Sequence, residues 1–193
     1  MKLLLIRHPA PEVPKGLCYG RTDVPLLDGW VEDAEAIKRW LETYYPRAVW
    51  QSYHSPLTRA ASLAQQVFAD SKTASALAEL DFGDWENVCW SDIPKHEIDR
   101  WGSDLVNATP YHGESLAQLS ERVMTWLEPI MEANQNTVLF THAGVIKVLI
   151  ANLCHIPIAQ CYRLSPTYSS ITELEVGDGY AMLHRFGAGD WTK

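Results

Sequence analysis

The sequence has 193 residues, 47% hydrophobic and 21% charged, enough for one well-packed globular domain. Acidic residues outnumber basic ones 24 to 16, for a formal net charge of −8, which argues against nucleic acid or an anionic membrane surface as a bulk partner. It leaves room for a local positive pocket that holds an anionic small molecule. No apolar run approaches the ~18 residues of a membrane span. The opening MKLLLIRHPAP has too few apolar residues before its first arginine for a signal-peptide core.

Taken in chain order, residues 2–7 read as a buried strand, followed by a Pro/Gly-rich loop through residue 27. A helix is expected over 28–44, with Trp30, Ala34, Ile37 and Leu41 at helical spacing. A short strand at 48–52 leads to a helix over 56–69, with Ser55 as N-cap and Pro56 at the first helical position. A strand at 73–77 precedes an irregular segment containing FGDW, and a small helix covers 91–101. The longest helix is expected to start at Ser115. Ser115 and Gln118 have capping-box spacing, and Leu116, Leu119, Val123, Trp126 and Ile130 follow at steps of three and four. A strand at 137–141 and a helix at 143–153 come next. Residues 168–176 and 180–186 alternate apolar and polar around GDG, the pattern of a closing hairpin. Strands alternating with helices predict a mostly parallel sheet covered on both faces.

Two histidines stand at strand exits: His8 after LLLIR and His142 after VLFT. In an open α/β sheet, ligands bind beyond the carboxyl ends of the strands, so both can face one crevice. A lone histidine is most often structural, but Arg7 sets a fixed cation beside His8. In SPLTRA (55–60), Arg59 lies in the first helical turn, and helical side chains lean toward the amino end, over the same sheet edge. Alone, it reads equally as a surface arginine. THAG (141–144) joins His142 to a helix start, whose N–H groups bind phosphate, and Gly144 permits close backbone approach. Glu79 in ELDFGDWE can protonate a leaving group, with Asp81, Asp84 and Glu86 as rival acids. Together these groups suit a tetrahedral anion and a nitrogen nucleophile, whose phosphoramidate water then hydrolyses. The chain has no Cys-x5-Arg loop, no DxDxT, no HExxH and no Walker A pattern, so no metal or cofactor is expected. Cys18, Cys89, Cys154 and Cys161 form no CxxC pair and read as reduced thiols of a cytoplasmic protein.

The motifs LIRH (5–8), SPLTRA (55–60), Glu79 in ELDFGDWE and THAGVI (141–146) resemble those of the histidine phosphatase superfamily, the phosphoglycerate mutase-like clan, in family order. The resemblance implies a phosphoglycerate mutase-like three-layer α/β/α sandwich: one domain over 1–193 with a small cap around 79–112. It implies that His8 is the nucleophile that becomes phosphohistidine. Arg7, Arg59 and His142 would hold the phosphoryl oxygens with help from the Ala143 N–H. Glu79 would act as proton donor and later as base. Attack requires a neutral His8, whereas His142 is expected cationic when phosphate stabilises it.

Within the clan, CYGRTDVPL (18–26), FGDWE (82–86) and HGES (112–115) are similar to alpha-ribazole-5′-phosphate phosphatases of cobalamin biosynthesis. That likeness places Gly20 and Arg21 at the substrate entrance, with Arg21 either touching phosphate or pairing with Asp23. The implied partner is a small-molecule phosphomonoester. The alternatives are a sugar-phosphate phosphatase, a mutase, or a phosphatase-like binding module. Two departures stand out: Pro9 where the family has glycine, and Pro14 where many relatives have an asparagine ligand. Trp30, Trp40 and Trp126 read as core residues. Trp85, Trp90 and Trp101 read as packing first and as a substrate cap second.

Overall fold

Side-chain alternation along one strand decides the layering. In the computed structural model, which describes residues 1–189, β1 (Lys2–Arg7) sends Leu3 and Leu5 into one apolar cluster and Leu4 and Ile6 into another. All four are fully buried. A strand covered on both faces reads as a continuous apolar run, which is why LLLI shows no alternation.

Helix α1 (Trp30–Tyr44), strand β2 (Gln51–His54) and helix α2 (Thr58–Val67) follow, with Ile37, Leu41 and Leu63 packed on the Leu4 and Ile6 face. The edge strand β3 (Lys72–Thr73) and the peripheral helix α3 (Lys95–Ser103) come next. The chain returns as α4 (Leu116–Glu132), β4 (Thr137–Thr141) and α5 (Ala143–Leu153), whose helices cover the Leu3 and Leu5 face. Strands β5 (Ile171–Gly177) and β6 (Tyr180–Ala188) form the closing hairpin. The sheet order is β3-β2-β4-β1-β5-β6. The first four strands are mutually parallel, β5 runs against β1, and β6 runs against β5. The mostly parallel sheet between two helical layers is the architecture that the alternation predicts. Among the described residues no helix is long and apolar enough to cross a membrane.

Several boundaries differ from expectation for local reasons. Helix α1 starts at Trp30 because Gly29 holds a left-handed backbone, φ +88°, just before it. Strand β2 occupies 51–54 rather than 48–52, because its pairing with β4 begins at Gln51 and Thr137. The strand expected at 73–77 is two residues long, after which the chain tightens into a 3₁₀ turn, Ser75–Leu77. The small helix is Lys95–Ser103, following Pro94.

Ser55 does not cap α2, and Pro56 lies outside it. The Ser55 hydroxyl accepts the Leu57 N–H at 3.2 Å in a local turn. The helix begins at Thr58, whose N–H donates to the Asp23 carboxylate at 2.9 Å. The 3₁₀ segment Ile158–Arg163 is an element with no predicted counterpart. A third apolar cluster gathers Cys18, Trp85 and Ile93 beside Phe82 and Trp101. It presses the loop after β1 onto residues 82–101, where the Cys18 N–H bonds the Val88 carbonyl at 2.9 Å.

The capping box at α4 is formed as predicted. The Gln118 N–H donates to Ser115 Oγ at 3.2 Å, and the Ser115 N–H donates to Gln118 Oε1 at 2.8 Å. Ser115→Ala is expected to lower stability by about 1 kcal/mol, read as a shift of the urea midpoint at unchanged slope.

Candidate active site

Strand register brings the two histidines together. Strands β1 and β4 pair with Arg7 opposite Thr141, so His8 and His142 leave adjacent parallel strands at the same level. The His8 N–H donates to the Thr141 carbonyl at 2.9 Å, and the imidazole centroids lie 5.0 Å apart. Both side chains are buried. Residue 142 is also the N-cap of α5, so the unsatisfied N–H groups of that helix start open beside the same point.

Hydrogen bonds set the tautomers. His8 Nδ1 lies 2.6 Å from the Pro9 carbonyl, which can only accept. The proton therefore sits on Nδ1, and Nε2 carries the lone pair. His142 Nε2 lies 2.7 Å from Ser55 Oγ. That hydroxyl accepts from Leu57 with one lone pair and keeps its proton to donate to Nε2; in that tautomer Nδ1 of His142 is an N–H donor. The serine that fails to cap α2 thus orients the second histidine.

Both arginines are held by main-chain carbonyls. Arg7 Nη1 donates to the Pro166 carbonyl at 2.8 Å, and its guanidinium lies 3.8 Å from the Tyr168 ring centroid. Arg59, fully buried, donates from Nη1 to the Thr22 carbonyl at 2.8 Å and from Nη2 to the Gly20 carbonyl at 2.7 Å. Among the described residues, the buried side-chain N and O atoms with no hydrogen bond are Arg7 Nε, Arg59 Nε, His142 Nδ1 and the Tyr162 hydroxyl. Buried polar groups are rarely left unpaired. Three of these four donors come from the constellation singled out in the sequence.

Burial pushes the His8 imidazole well below its usual pKa, and the Arg59 and Arg7 charges push it further. Burial depresses His142 likewise, helped by His8, Arg59 and Arg7. In the protein alone His142 is therefore neutral, while the cationic form was expected with phosphate in place. Cys18 borders the site, but burial and then Glu86 push its thiol up to about 12, so it stays protonated.

Glu79 follows the Ser75–Leu77 turn. The Gly144 N–H donates to its Oε2 at 3.1 Å, and the Leu80 N–H to its Oε1 at 2.9 Å. A Cβ on Gly144 would stand 2.2 Å from Glu79 Oε1, so this approach requires glycine. Arg7, His8, Gly20, Glu79, Phe82 and Trp90 are among the residues lining a cleft of about 120 Å³.

The rival acids are engaged elsewhere. Asp81 accepts from the Gly83 N–H, Asp84 contacts His112, and Glu86 accepts from the Arg21, Thr22 and Phe82 N–H groups. Arg21 faces Asp81 and Glu114, each at 3.4 Å, rather than Asp23, whose carboxylate is taken by the start of α2. Ala143 opens α5 beside Gly144, and Pro14 lies exposed in a turn.

Two tyrosines have no role predicted from the sequence, although Tyr19 lies within CYGRTDVPL. Tyr168 lies 5.5 Å from the His8 ring, and its hydroxyl contacts that of Tyr19 at 2.8 Å. Their place follows from long-range packing, which local pattern does not encode. Trp85, Trp90 and Trp101 pack against one another, and Trp90 also borders the cleft.

Known proteins resemble this chain in sequence and in fold. The model of the histidine phosphatase superfamily (branch 1) matches residues 3–188. The adenosylcobalamin/alpha-ribazole phosphatase of Escherichia coli K12 is 27% identical over 95% of this chain and 94% of its own. The crystal structure of the alpha-ribazole phosphatase from Shigella flexneri superimposes with a TM-score of 0.86 at 26% identity, covering 97% and 96% of the two chains. A phosphoserine phosphatase from Entamoeba histolytica shares the fold, with a TM-score of 0.84 at 23% identity over 98% of each chain.

The depressed imidazoles couple stability to pH. As pH falls below about 6.5, the unfolded chain takes up histidine protons that the folded protein refuses. Stability is therefore full above that value and declines beneath it. Urea midpoints measured from about pH 8 to about pH 5 should fall with pH, and His142→Asn should flatten the slope.

Proposed function

The chain belongs to the histidine phosphatase superfamily, and we propose that it hydrolyses phosphomonoesters through a phosphohistidine on His8, with alpha-ribazole 5′-phosphate as its substrate. The observation that carries this reading is the set of three unpartnered donors, Arg7 Nε, Arg59 Nε and His142 Nδ1, beside the bare Nε2 of His8. Tetrahedral oxyanions need several donors, and buried donors need acceptors.

His8 Nε2 attacks phosphorus, and the N–P bond forms as the ester P–O bond breaks. The Glu79 carboxyl proton passes to the leaving oxygen. Arg7, Arg59, the His142 Nδ1–H and the Ala143 N–H stabilise the equatorial oxygens. Water then attacks phosphorus and gives its proton to the Glu79 carboxylate. The N–P bond breaks, releasing inorganic phosphate. Gly20 borders the entrance. Arg21, held by Asp81 and Glu114, acts at the rim and not on the phosphoryl group.

The substrate assignment rests on the relatives' names and on the stretches 18–26, 82–86 and 112–115. The edge-to-face pair Phe82 and Trp90, 5.3 Å apart at the cleft, is suited to a flat aromatic base. The segment 79–112 supplies this wall and serves as the cap. The free thiols of all four cysteines fit the cytoplasm.

The decisive experiment is a phosphate-release assay on alpha-ribazole 5′-phosphate, simple sugar phosphates and 3-phosphoglycerate. Alpha-ribazole 5′-phosphate is expected to have the highest kcat/KM. A higher value for a sugar phosphate would refute the substrate, and isomerised product without phosphate would mark a mutase. His8→Ala should reduce turnover by at least about a thousandfold and abolish labelling of the protein by radioactive substrate.

A further inference from the structure

Among the described residues, the Tyr162 hydroxyl is the one buried side-chain atom without a hydrogen-bond partner that lies outside the phosphate set. It belongs to the 3₁₀ segment Ile158–Arg163, which packs against α5. Tyr162 lines a second cavity of about 110 Å³ with Glu79, Phe82, Ala143, Lys147 and Cys161 among its walls. Glu79 and Phe82 also line the cleft of His8, so the two spaces meet at the acid. The second cavity therefore borders the group that the reading above makes the proton donor.

Lys147 stands on α5 four residues after Ala143 and three after Gly144, so all three share one helix face. Its ammonium lies 5.5 Å from the Tyr162 ring centroid and makes no ion pair among the described residues. Burial draws its pKa down, only partly opposed by attraction to Glu79 and Cys161. A half-buried lysine and a tyrosine whose buried hydroxyl has no acceptor line one small space. Such groups are unfavourable unless an acceptor arrives.

We propose that Lys147 and Tyr162 form a leaving-group subsite, which binds an oxygen acceptor carried a few bonds from the phosphoester oxygen. The acceptor is a sugar hydroxyl or a carboxylate; the two share the same chemistry toward an ammonium and a phenol O–H. The cavity takes a sugar ring or a short acid. An aromatic base attached to that sugar must lie outward, toward Phe82 and Trp90. This inference rests on the phosphomonoesterase reading above and adds the feature of the alcohol that the enzyme selects.

The test compares kcat/KM on ribose 5-phosphate, phosphoserine and phenyl phosphate for the unaltered protein, Lys147→Met, Tyr162→Phe and Lys147→Arg. Phenyl phosphate has no acceptor in its leaving group. In both truncating variants, kcat/KM for an acceptor-bearing substrate should fall roughly tenfold further than for phenyl phosphate. Lys147→Arg should recover part of the difference. A selective fall on ribose 5-phosphate assigns hydroxyls, and one on phosphoserine assigns a carboxylate. An equal fall on all three substrates means that Lys147 acts through Glu79, and overturns the subsite. No fall overturns it too. Should Lys147→Met fail to fold, Lys147→Gln takes its place. If the unaltered protein releases phosphate neither from these three nor from alpha-ribazole 5′-phosphate, the phosphomonoesterase reading itself fails, and the subsite with it.

Discussion

The site depends on one strand pairing. Strands β1 and β4 lie side by side in parallel, with Leu3 opposite Thr137 and Arg7 opposite Thr141. A slip of one residue would turn His142 to the other face of the sheet while His8 stayed in place. Burial prevents the slip. Leu3, Leu5 and Leu139 are committed to one core, and Leu4, Ile6, Val138 and Phe140 to the other. The apolar packing that gives the sheet its stability also holds two imidazoles 5.0 Å apart.

Around that pair, cations are solvated by carbonyl dipoles rather than by carboxylates. An acidic partner within hydrogen-bond distance of Arg59 would neutralise it and compete with an arriving oxyanion. The Thr22 and Gly20 carbonyls hold the guanidinium in place but leave its charge uncompensated at close range. This arrangement requires an ordered entrance loop. Glu86 supplies that order by accepting the Arg21 and Thr22 N–H groups. Gly20 fits because a Cβ there would come within 2.1 Å of the Leu80 carbonyl. Burial first, and the Arg59 and Arg7 charges after it, keep His8 unprotonated, so the cations suited to an anion also favour the neutral imidazole.

Much of this was legible in the chain because it is local. Apolar runs, helical spacing and the Ser115 capping box each depend on neighbours within a few residues, and all three stand close to where they were read. The histidines, Arg7 and Arg59 were legible through strand ends and a helix start, since secondary structure alone sends them toward one edge. What escaped is non-local. Asp23 caps a helix 35 residues later in sequence, which displaced Ser55 to His142 and Arg21 to Asp81 and Glu114. Tyr168 reaches Arg7 across a separation that no periodicity records. Lys147 illustrates the opposite case. Its position on α5 was legible, but its role depends on Tyr162, in an element absent from the predicted set.

Pro9 shows why a departure from a family pattern needs its geometry. Counted as a donor, proline is a loss, because it has no N–H to offer a phosphoryl oxygen. Its carbonyl, however, takes the His8 Nδ1 proton at 2.6 Å, and that contact decides which ring nitrogen keeps its lone pair. A fixed φ limits the ways in which this carbonyl can swing away. The substitution therefore removes a donor from a pocket that already has Arg7, Arg59, His142 and a helix start. It stiffens the one acceptor on which the His8 tautomer depends. A chain kept merely to bind phosphate would have no use for that tautomer, nor for a carboxyl group placed by two backbone N–H groups beside the same cleft.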